Sequence, residues 1–511
     1  MAMKNSIIHA YSMKRKGFEF YMIQVLTNRE NYQYDLHSLI KAFYPGMDVK
    51  VVADKDVFSK NENWITVDFF EDSLQVVLCV EKEEAHFANQ LAAEDITGED
   101  EKTGVHLYKN ACKLALYQNL SAYTGKKLPW GNLTGIRPTK LPMMMLEEGM
   151  QDKEIIEKLQ ATHAVSDEKA LLSLDIAKRE KALLDQIHYV DGYSLYIGIP
   201  FCPTTCLYCS FTSYPIAIWR KRMQEYLEAV YKEIQFISEF YKDKILDTVY
   251  IGGGTPTTLE AEDLEWLLSR VREAFDWSHV KEFTVEAGRA DSITREKLEV
   301  LKKYGVTRIS VNPQTMKDET LKTIGRQHTV QQVKDAYAMA REVGFENINM
   351  DIILGLPGEV EADVTNTIEE IKKLNPDSLT VHSLAIKRAS KLNQWIEENG
   401  IETLKNTDTT MDIAAAGAKA MNMEPYYLYR QKNMSGNFEN VGYARDGKFG
   451  IYNILIMEEV QTIVALGAGS ITKRVFPDGR IERCDNVKDV ALYIEKIDEM
   501  IERKRKLFSM E

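Results

Sequence analysis

The stretch YSLYIGIPFCPTTCLYCSF, residues 193–211, decides how the rest of the chain is read. Its first half is a nearly continuous apolar run. A strand of that kind is buried on both faces, as in a parallel sheet. Its second half places Cys202, Cys206 and Cys209 in CxxxCxxC spacing directly after that strand. Thiolates are the ligands of iron–sulfur clusters. Three of them on one short loop reach three irons of a [4Fe–4S] cube and leave the fourth iron open to a small molecule. A structural zinc site wants four ligands, and no further His or Cys lies close by in sequence.

Outward from this stretch the chain alternates strand-like and helix-like segments. SLYIGIPF (194–201) precedes WRKRMQEYLEAVYKEIQFISEF (219–240), and ILDTVYIGGG (245–254) precedes EDLEWLLSRVREAF (262–275). FTVEAG (283–288) leads to REKLEVLKKYG (295–305), and RISVNPQ (308–314) to VQQVKDAYAMAREVG (330–344). NINMDIILGLPG (347–358) leads to VTNTIEEIKKL (364–374), and SLTVHSLAI (378–386) to MDIAAAGAKAMNM (411–423). Strand–helix units in succession predict a parallel α/β architecture. Six units rather than eight predict an open, partial (β/α)6 barrel. Cys202, Gly254, Glu286, Gln314 and Asp351 all fall at C-terminal strand ends, where such a fold gathers its site.

Residues 1–185 read as a separate α/β segment. GFEFYMIQVL (17–26), NWITVDFF (63–70) and LQVVLCV (74–80) are strand-like. From Glu83 to about Leu184 the pattern is mostly helical, broken by the loop LPWGNLTGIRPTKLP (128–142). This segment is expected to stay outside the cysteine site and to cover or gate the barrel mouth. The expected division is 1–185, 186–395 and 396–511, in keeping with a chain too long for one core.

Apolar residues make up 44% and charged residues 28% of the sequence, and the formal net charge is −13. The negative balance weighs against a nucleic-acid partner. No apolar run is long enough to span a bilayer, and the start of the sequence lacks a signal-peptide pattern, so a cytoplasmic protein is expected. Cys79, Cys112 and Cys484 read as small core hydrophobes.

Gly252, Gly253 and Gly254 followed by Thr255 and Pro256 close the second strand. Glycines let a backbone approach a ligand closely, and carbonyls exposed there accept hydrogen bonds from an ammonium group. Asp351 lies in an apolar strand, where an unpaired carboxylate is costly and a ribose hydroxyl is a fitting partner. Arg326 suits a bidentate carboxylate contact.

YIGIPFCPTTCLYCSF, IGGGTPTTL, RISVNPQTM, LKTIGRQHT and MDIILGLPGE together resemble the oxygen-independent coproporphyrinogen III oxidase (dehydrogenase) family of radical S-adenosylmethionine (SAM) proteins. WGNLTGIRPTK, YRQKNMSGNFENVGYA and ALGAGS resemble its HemZ-like branch. The resemblance implies a radical SAM barrel with an N-terminal accessory domain and a C-terminal HemN-like domain. It implies a cluster on Cys202, Cys206 and Cys209, with SAM bound to the open iron through its amino and carboxylate groups. Gly253, Gly254 and Thr255 match backbone contacts to SAM. Gln314 and Asp351 match polar contacts to ribose, Arg326 a charged contact, and Ala385 the adenine side. Tyr196, Tyr208 and Glu286 match further SAM contacts, including those of a second SAM described for the oxidase branch.

The implied reaction cleaves SAM reductively, and the radical removes hydrogen from a propionate of coproporphyrinogen III. Loss of an electron and carbon dioxide leaves a vinyl group, and two rounds give protoporphyrinogen IX. An electron donor such as flavodoxin or ferredoxin is implied, and Lys387, Arg388 and Arg430 are candidate partners for the substrate propionates. Phe211 stands where the oxidase branch carries another cysteine, as in the haem-chaperone branch. That branch's HNxxYW-like motif has only YNILIM (452–457) as an echo, and EAGRAD (286–291) replaces the usual acidic-proline phrase. The rival readings are a haem-binding or haem-delivery protein retaining the cluster, and a radical enzyme acting on RNA or another substrate.

Overall fold

The structure, a computed structural model, describes residues 22–60, 62–98, 100–211, 213–387, 390–431 and 438–510. The chain divides into two compact units. One runs to Thr134 and includes Lys153–Ala170; the other comprises Gly135–Asp152 and Leu171 onward.

The first unit holds a five-stranded sheet. Its strands are β1 (Met22–Thr27), β2 (Asp48–Val52), β3 (Trp64–Phe69), β4 (Ser73–Cys79) and β5 (Ala85–Gln90), in the order β2-β1-β3-β4-β5. The parallel β2-β1-β3 pairing joins an antiparallel β3-β4-β5 meander. Helices α1 (Gln33–Phe43) and α2 (Glu101–Thr124) share a core with it through Ile23, Val25, Ile40, Phe43, Leu116 and Leu120. Asp100 caps α2 by accepting a hydrogen bond from Thr103 N, and Gly125, at φ 75°, ends it. β5 corrects the helical expectation for residues beyond Glu83. AHFANQ alternates half-buried and exposed residues, a two-residue period too weakly apolar to stand out in sequence.

Helix α3 (Lys140–Glu147) lies in the second unit, α4 (Asp152–His163) almost wholly in the first, and α5 (Asp167–Leu184) runs from the first into the second. Met143, Ala177 and Leu184 pack with Tyr426, Tyr427, Ile454 and Leu455. Residues 135–152 and 171–185 therefore share a core with the C-terminal region. Arg137, from the GIRPTK phrase, donates to Met457 O and Glu458 O at 3.0 and 2.8 Å.

The six expected strands are present: β6 (Gly192–Ile199), then, past two short strands β7 (Phe201–Cys202) and β8 (Tyr214–Pro215), β9 (Ile245–Gly253), β10 (Glu282–Gly288), β11 (Arg308–Val311), β12 (Ile348–Leu354) and β13 (Ser378–Ser383). They neighbour one another in chain order and all pair in parallel. The intervening helices are α6 (Ile216–Trp219), α7 (Met223–Phe240), α8 (Ala261–Ala274), α9 (Arg295–Lys303), α10 (Asp318–Thr323), α11 (Val330–Val343) and α12 (Glu361–Leu374). After β13 come α13 (Leu392–Asn399) and α14 (Asp408–Ala420).

The C-terminal residues extend the same sheet at both edges. β14 (Glu424–Tyr429) and β15 (Asn440–Ala444) join beyond β13, with β15 antiparallel to both neighbours. After α15 (Ile451–Glu458), β16 (Thr462–Leu466) pairs in parallel with β6, followed by antiparallel β17 (Ile471–Val475) and β18 (Ile481–Asp485). The six parallel strands of the expected partial barrel are thereby extended to an eleven-stranded sheet, with the small C-terminal region continuing it at both edges. Helices α16 (Val490–Glu495) and α17 (Ile497–Phe508) follow. Among the described residues no helix is long and apolar enough to cross a membrane.

The ALGAGS phrase is held by a buried polar network. Lys504 Nζ, from α17, reaches Glu233 Oε1 in α7 at 2.6 Å, both side chains wholly buried. Glu233 Oε2 accepts from Gly467 N at 2.8 Å. Tyr226 OH donates to Gly198 O at 2.7 Å and accepts from Ala468 N at 3.1 Å. The network thus fixes the end of β6 just before the cysteines. Removing one partner of a buried ion pair leaves the other uncompensated, at about 3–5 kcal/mol. Lys504→Met is expected to lower the urea stability of the second unit by that order, read from its unfolding midpoint; an unchanged midpoint would contradict it.

Candidate iron–sulfur and SAM site

The cysteine loop leaves β6 and is tied down at several points. β7 and β8 pair across it, and Tyr214 N donates to Pro200 O at 2.8 Å. Leu207 N donates to Ile324 O at 3.0 Å, and Thr204 Oγ1 to Gly325 O at 2.9 Å. Cys206 is buried, while Cys202 and Cys209 are partly exposed. Burial pushes the Cys202 and Cys209 thiols above their ordinary pKa, each also sensing the charge of Cys206. Thr255 Oγ1 sits 3.6 Å from Cys202 Sγ and favours its thiolate. Among the described residues no three His, Cys, Asp or Glu side chains are grouped to hold a single metal ion. A cube makes a different demand, because each thiolate meets a different iron.

The glycine run abuts this loop. Gly254 N donates to Ile199 O at 2.8 Å and Thr255 N to Phe201 O at 2.7 Å. A Cβ on Gly254 would stand 2.5 Å from Phe201 O, and Gly253 is exposed at φ 111°. The backbone here therefore requires glycine on both counts.

Beyond the glycines, one face of the sheet is polar and rich in tyrosine. Tyr196, Tyr250 and Tyr452 form a mutually stacked cluster, with centroids 6.1 Å apart for Tyr196–Tyr250, 4.4 Å for Tyr250–Tyr452 and 6.2 Å for Tyr196–Tyr452. Tyr250 OH donates to Glu286 Oε1 at 2.5 Å and Gly253 N to Oε2 at 3.3 Å. Burial nevertheless raises the Glu286 pKa to about 7, against the Tyr250 hydrogen bond and with help from the Asp351 charge. Asp351 is not unpaired: Asn349 Nδ2 donates to Oδ1 at 2.6 Å, and His382 Nε2 lies 3.9 Å from Oδ2. Burial opposes the Asp351 charge, but His382 and Asn349 outweigh it and hold the carboxyl below its ordinary range. Gln314, at φ 67°, bridges to β12 by accepting from Ile353 N and donating its own N–H to Asp351 O, both at 2.9 Å.

Arg326 is buried. Its Nη1 donates to Asn312 O at 2.8 Å and its Nη2 to Tyr208 OH at 3.3 Å. Burial works against its charge, but Tyr208 and Cys206 overcome this and raise its pKa. Arg326 Nε, Asn312 Oδ1 and Ser310 Oγ are buried without a hydrogen-bond partner in the protein. Unmet polar groups of this kind call for a polar ligand or water. Three thiols, a glycine cradle and these orphaned atoms fit a cluster with a charged small molecule beside it.

Ala385 is half-buried just past β13, next to the partly buried Lys387, whose pKa burial lowers. Arg388 lies outside the described residues. Arg430, at the end of β14, is buried rather than presented at the surface, and burial lowers its pKa to about 10 against the pull of Glu439.

The signature of the Radical SAM superfamily matches residues 196–371. The chain is 43% identical over 411 residues to the oxygen-independent coproporphyrinogen-III oxidase-like protein HemZ of Bacillus subtilis, covering 80% of this chain and 82% of that one. The chain belongs to the HemZ-like branch of the oxygen-independent coproporphyrinogen III oxidase family of radical SAM proteins. The heme chaperone HemW of B. subtilis is 38% identical over 195 residues, covering 38% of this chain and 51% of the relative. Among solved structures, the coproporphyrinogen III oxidase HemN of Escherichia coli is similar with a TM-score of 0.50 at 22% identity, over 63% of this chain and 73% of that one. That likeness supports the radical SAM fold of the HemZ-like chain.

Sequence reading missed four contributors to the candidate site. Tyr250 and Tyr452 were passed over as apolar strand and helix residues. His382 gave only the signal of a lone polar residue in SLTVHSLAI. Arg289 lies within EAGRAD, and that departure from the usual phrase was the available clue. Gly254→Ala is expected to displace Phe201 and with it Cys202. Iron per chain after anaerobic reconstitution should fall well below wild type, while far-UV circular dichroism stays native; full iron content would show the cradle to be dispensable.

Proposed function

We propose that this chain carries a [4Fe–4S] cluster on Cys202, Cys206 and Cys209 and catalyses the oxygen-independent oxidative decarboxylation of coproporphyrinogen III to protoporphyrinogen IX. The observation that carries the reading is the meeting of the cysteine loop, the glycine run and a tyrosine-rich polar face at the ends of parallel strands. The long similarity to an oxidase-like relative supports the substrate. When bound, the cluster and SAM supply the reductive cleavage and the radical that takes a hydrogen atom from substrate.

The chain's own groups bind and orient. Gly253, Gly254 and Thr255 let the amino acid end of SAM approach the backbone, and Arg326 meets its carboxylate. Asp351, already oriented by Asn349, accepts from ribose with Gln314 beside it. Tyr196, Tyr208, Glu286 and Ala385 complete the SAM contacts, including those of a second SAM. Lys387, Arg388 and Arg430 are the cations proposed for the propionates, and a flavodoxin or ferredoxin is the proposed electron source.

Anaerobic turnover of reconstituted protein with SAM, reductant and coproporphyrinogen III is expected to give vinyl-bearing product by mass spectrometry. Cys206→Ala should abolish 5′-deoxyadenosine formation, whereas Cys484→Ala should not. SAM cleavage without vinyl product would remove the substrate assignment and leave the radical SAM assignment standing. The similarity to a heme chaperone, together with Phe211 after the third cysteine, favours a second reading as a haem-delivery protein. Stoichiometric haem bound to protein that gives no vinyl product would select it.

The Glu286 pKa of about 7 sets a pH dependence. Above that value the group is a carboxylate able to face the positive charge of SAM; below it the group is neutral. SAM affinity is expected to weaken as pH falls from about 8 to about 6. Glu286→Gln should flatten this profile in equilibrium binding, and an unchanged wild-type-like slope would exclude the residue.

A further inference from the structure

Arg289 is buried behind the cysteine loop, and the proposed SAM contacts do not use it. Its guanidinium donates from Nη1 to Thr204 O at 3.0 Å and to Thr204 Oγ1 at 2.8 Å, and Nη1 lies 3.9 Å from Cys206 Sγ. The opposite edge is gripped by Asp291: Nε meets Oδ1 at 3.0 Å and Nη2 meets Oδ2 at 2.6 Å. His328 Nδ1 stands 3.7 Å from Asp291 Oδ1, its side chain wholly buried. A fork held on both oxygens of a carboxylate has a fixed orientation. The remaining N–H edge therefore points its positive end at the backbone of the CxxxCxxC loop and at one cysteine sulfur.

We infer that Arg289, oriented by Asp291, is a positioning residue for the cluster that clamps the loop at Thr204 and raises the cluster's reduction potential from the Cys206 side. The inference rests on the cluster reading proposed above. Adding an electron makes a cluster more negative, so a cation directed at a ligand sulfur stabilises the reduced form. Hydrogen bonds to cluster sulfurs and local charge are established controls on potential. Lysine keeps the charge but loses the fork; glutamine loses the charge and keeps a donor.

The test compares wild type, Arg289→Lys, Arg289→Gln and Asp291→Asn after anaerobic reconstitution. Iron content, rate of iron loss to a chelator and midpoint potential by titration with electron paramagnetic resonance are measured, none of which requires turnover. Arg289→Gln is expected to shift the midpoint to more negative potential and to lose iron faster. Arg289→Lys should recover much of the potential but less of the chelator resistance. Asp291→Asn, which leaves Arg289 in place but loosens its orientation, should lose iron faster, while removal of the carboxylate beside the cation keeps the midpoint from shifting negative as it does in Arg289→Gln; its faster iron loss serves as the test if Arg289→Gln does not fold. Folded variants with wild-type potential and wild-type iron loss would overturn the inference while leaving the cluster reading intact. Wild-type iron binding in Cys206→Ala would instead sink the cluster reading itself.

Discussion

Every barrel strand from β6 to β13 runs in the same direction, and this constraint governs the rest of the second unit. Parallel strands cannot be joined by tight turns, so each returns through a helix and each presents its C-terminal end at the same edge. The cysteines, the glycine run, Glu286 and Gln314 come from separate stretches of chain, yet they gather at or near that edge because the sheet leaves them no other, while Asp351 sits mid-strand in β12 rather than at the strand end expected from sequence. The chemistry-bearing side chains then differ mainly in what anchors them. Asp351 is oriented by its own strand, Glu286 by the strand beside it, and Arg326 by the loop after β11 and the cysteine loop.

What could be read from sequence was what is local. The apolar run ending at Phe201 and the spacing of Cys202, Cys206 and Cys209 are contained in one short stretch. The glycines announce a close backbone approach that Gly254 makes against Phe201. The partner of Asp351 was also within reach, because residues two apart on a strand share a face and Asn349 precedes it by two. Arg289 was not legible in this way. Its partners on the cysteine loop lie 85 positions away, and nothing in EAGRAD states what the arginine meets.

The C-terminal region shows the same limit at larger scale. Its strands were visible as apolar segments, but strand pairing across long separations carries no local mark. β16 was free, in sequence terms, to belong to a sheet of its own. It instead lies beside β6, while β14 and β15 complete the opposite edge. The phrases GIRPTK and ALGAGS become intelligible only in that arrangement, the first at the end of α15 and the second at the end of β6.

The carboxylate of Glu233 meets an ammonium group 271 positions later. Contacts of such separation form late, because a long loop must close before they return any stabilisation. On the ribosome, the strand that carries the cysteines is finished hundreds of residues before the lysine that secures its far end emerges. Anchoring of the strand that leads into the cysteines therefore depends on the docking of α17, a segment some three hundred positions further along the chain, as much as on the strand's own neighbours.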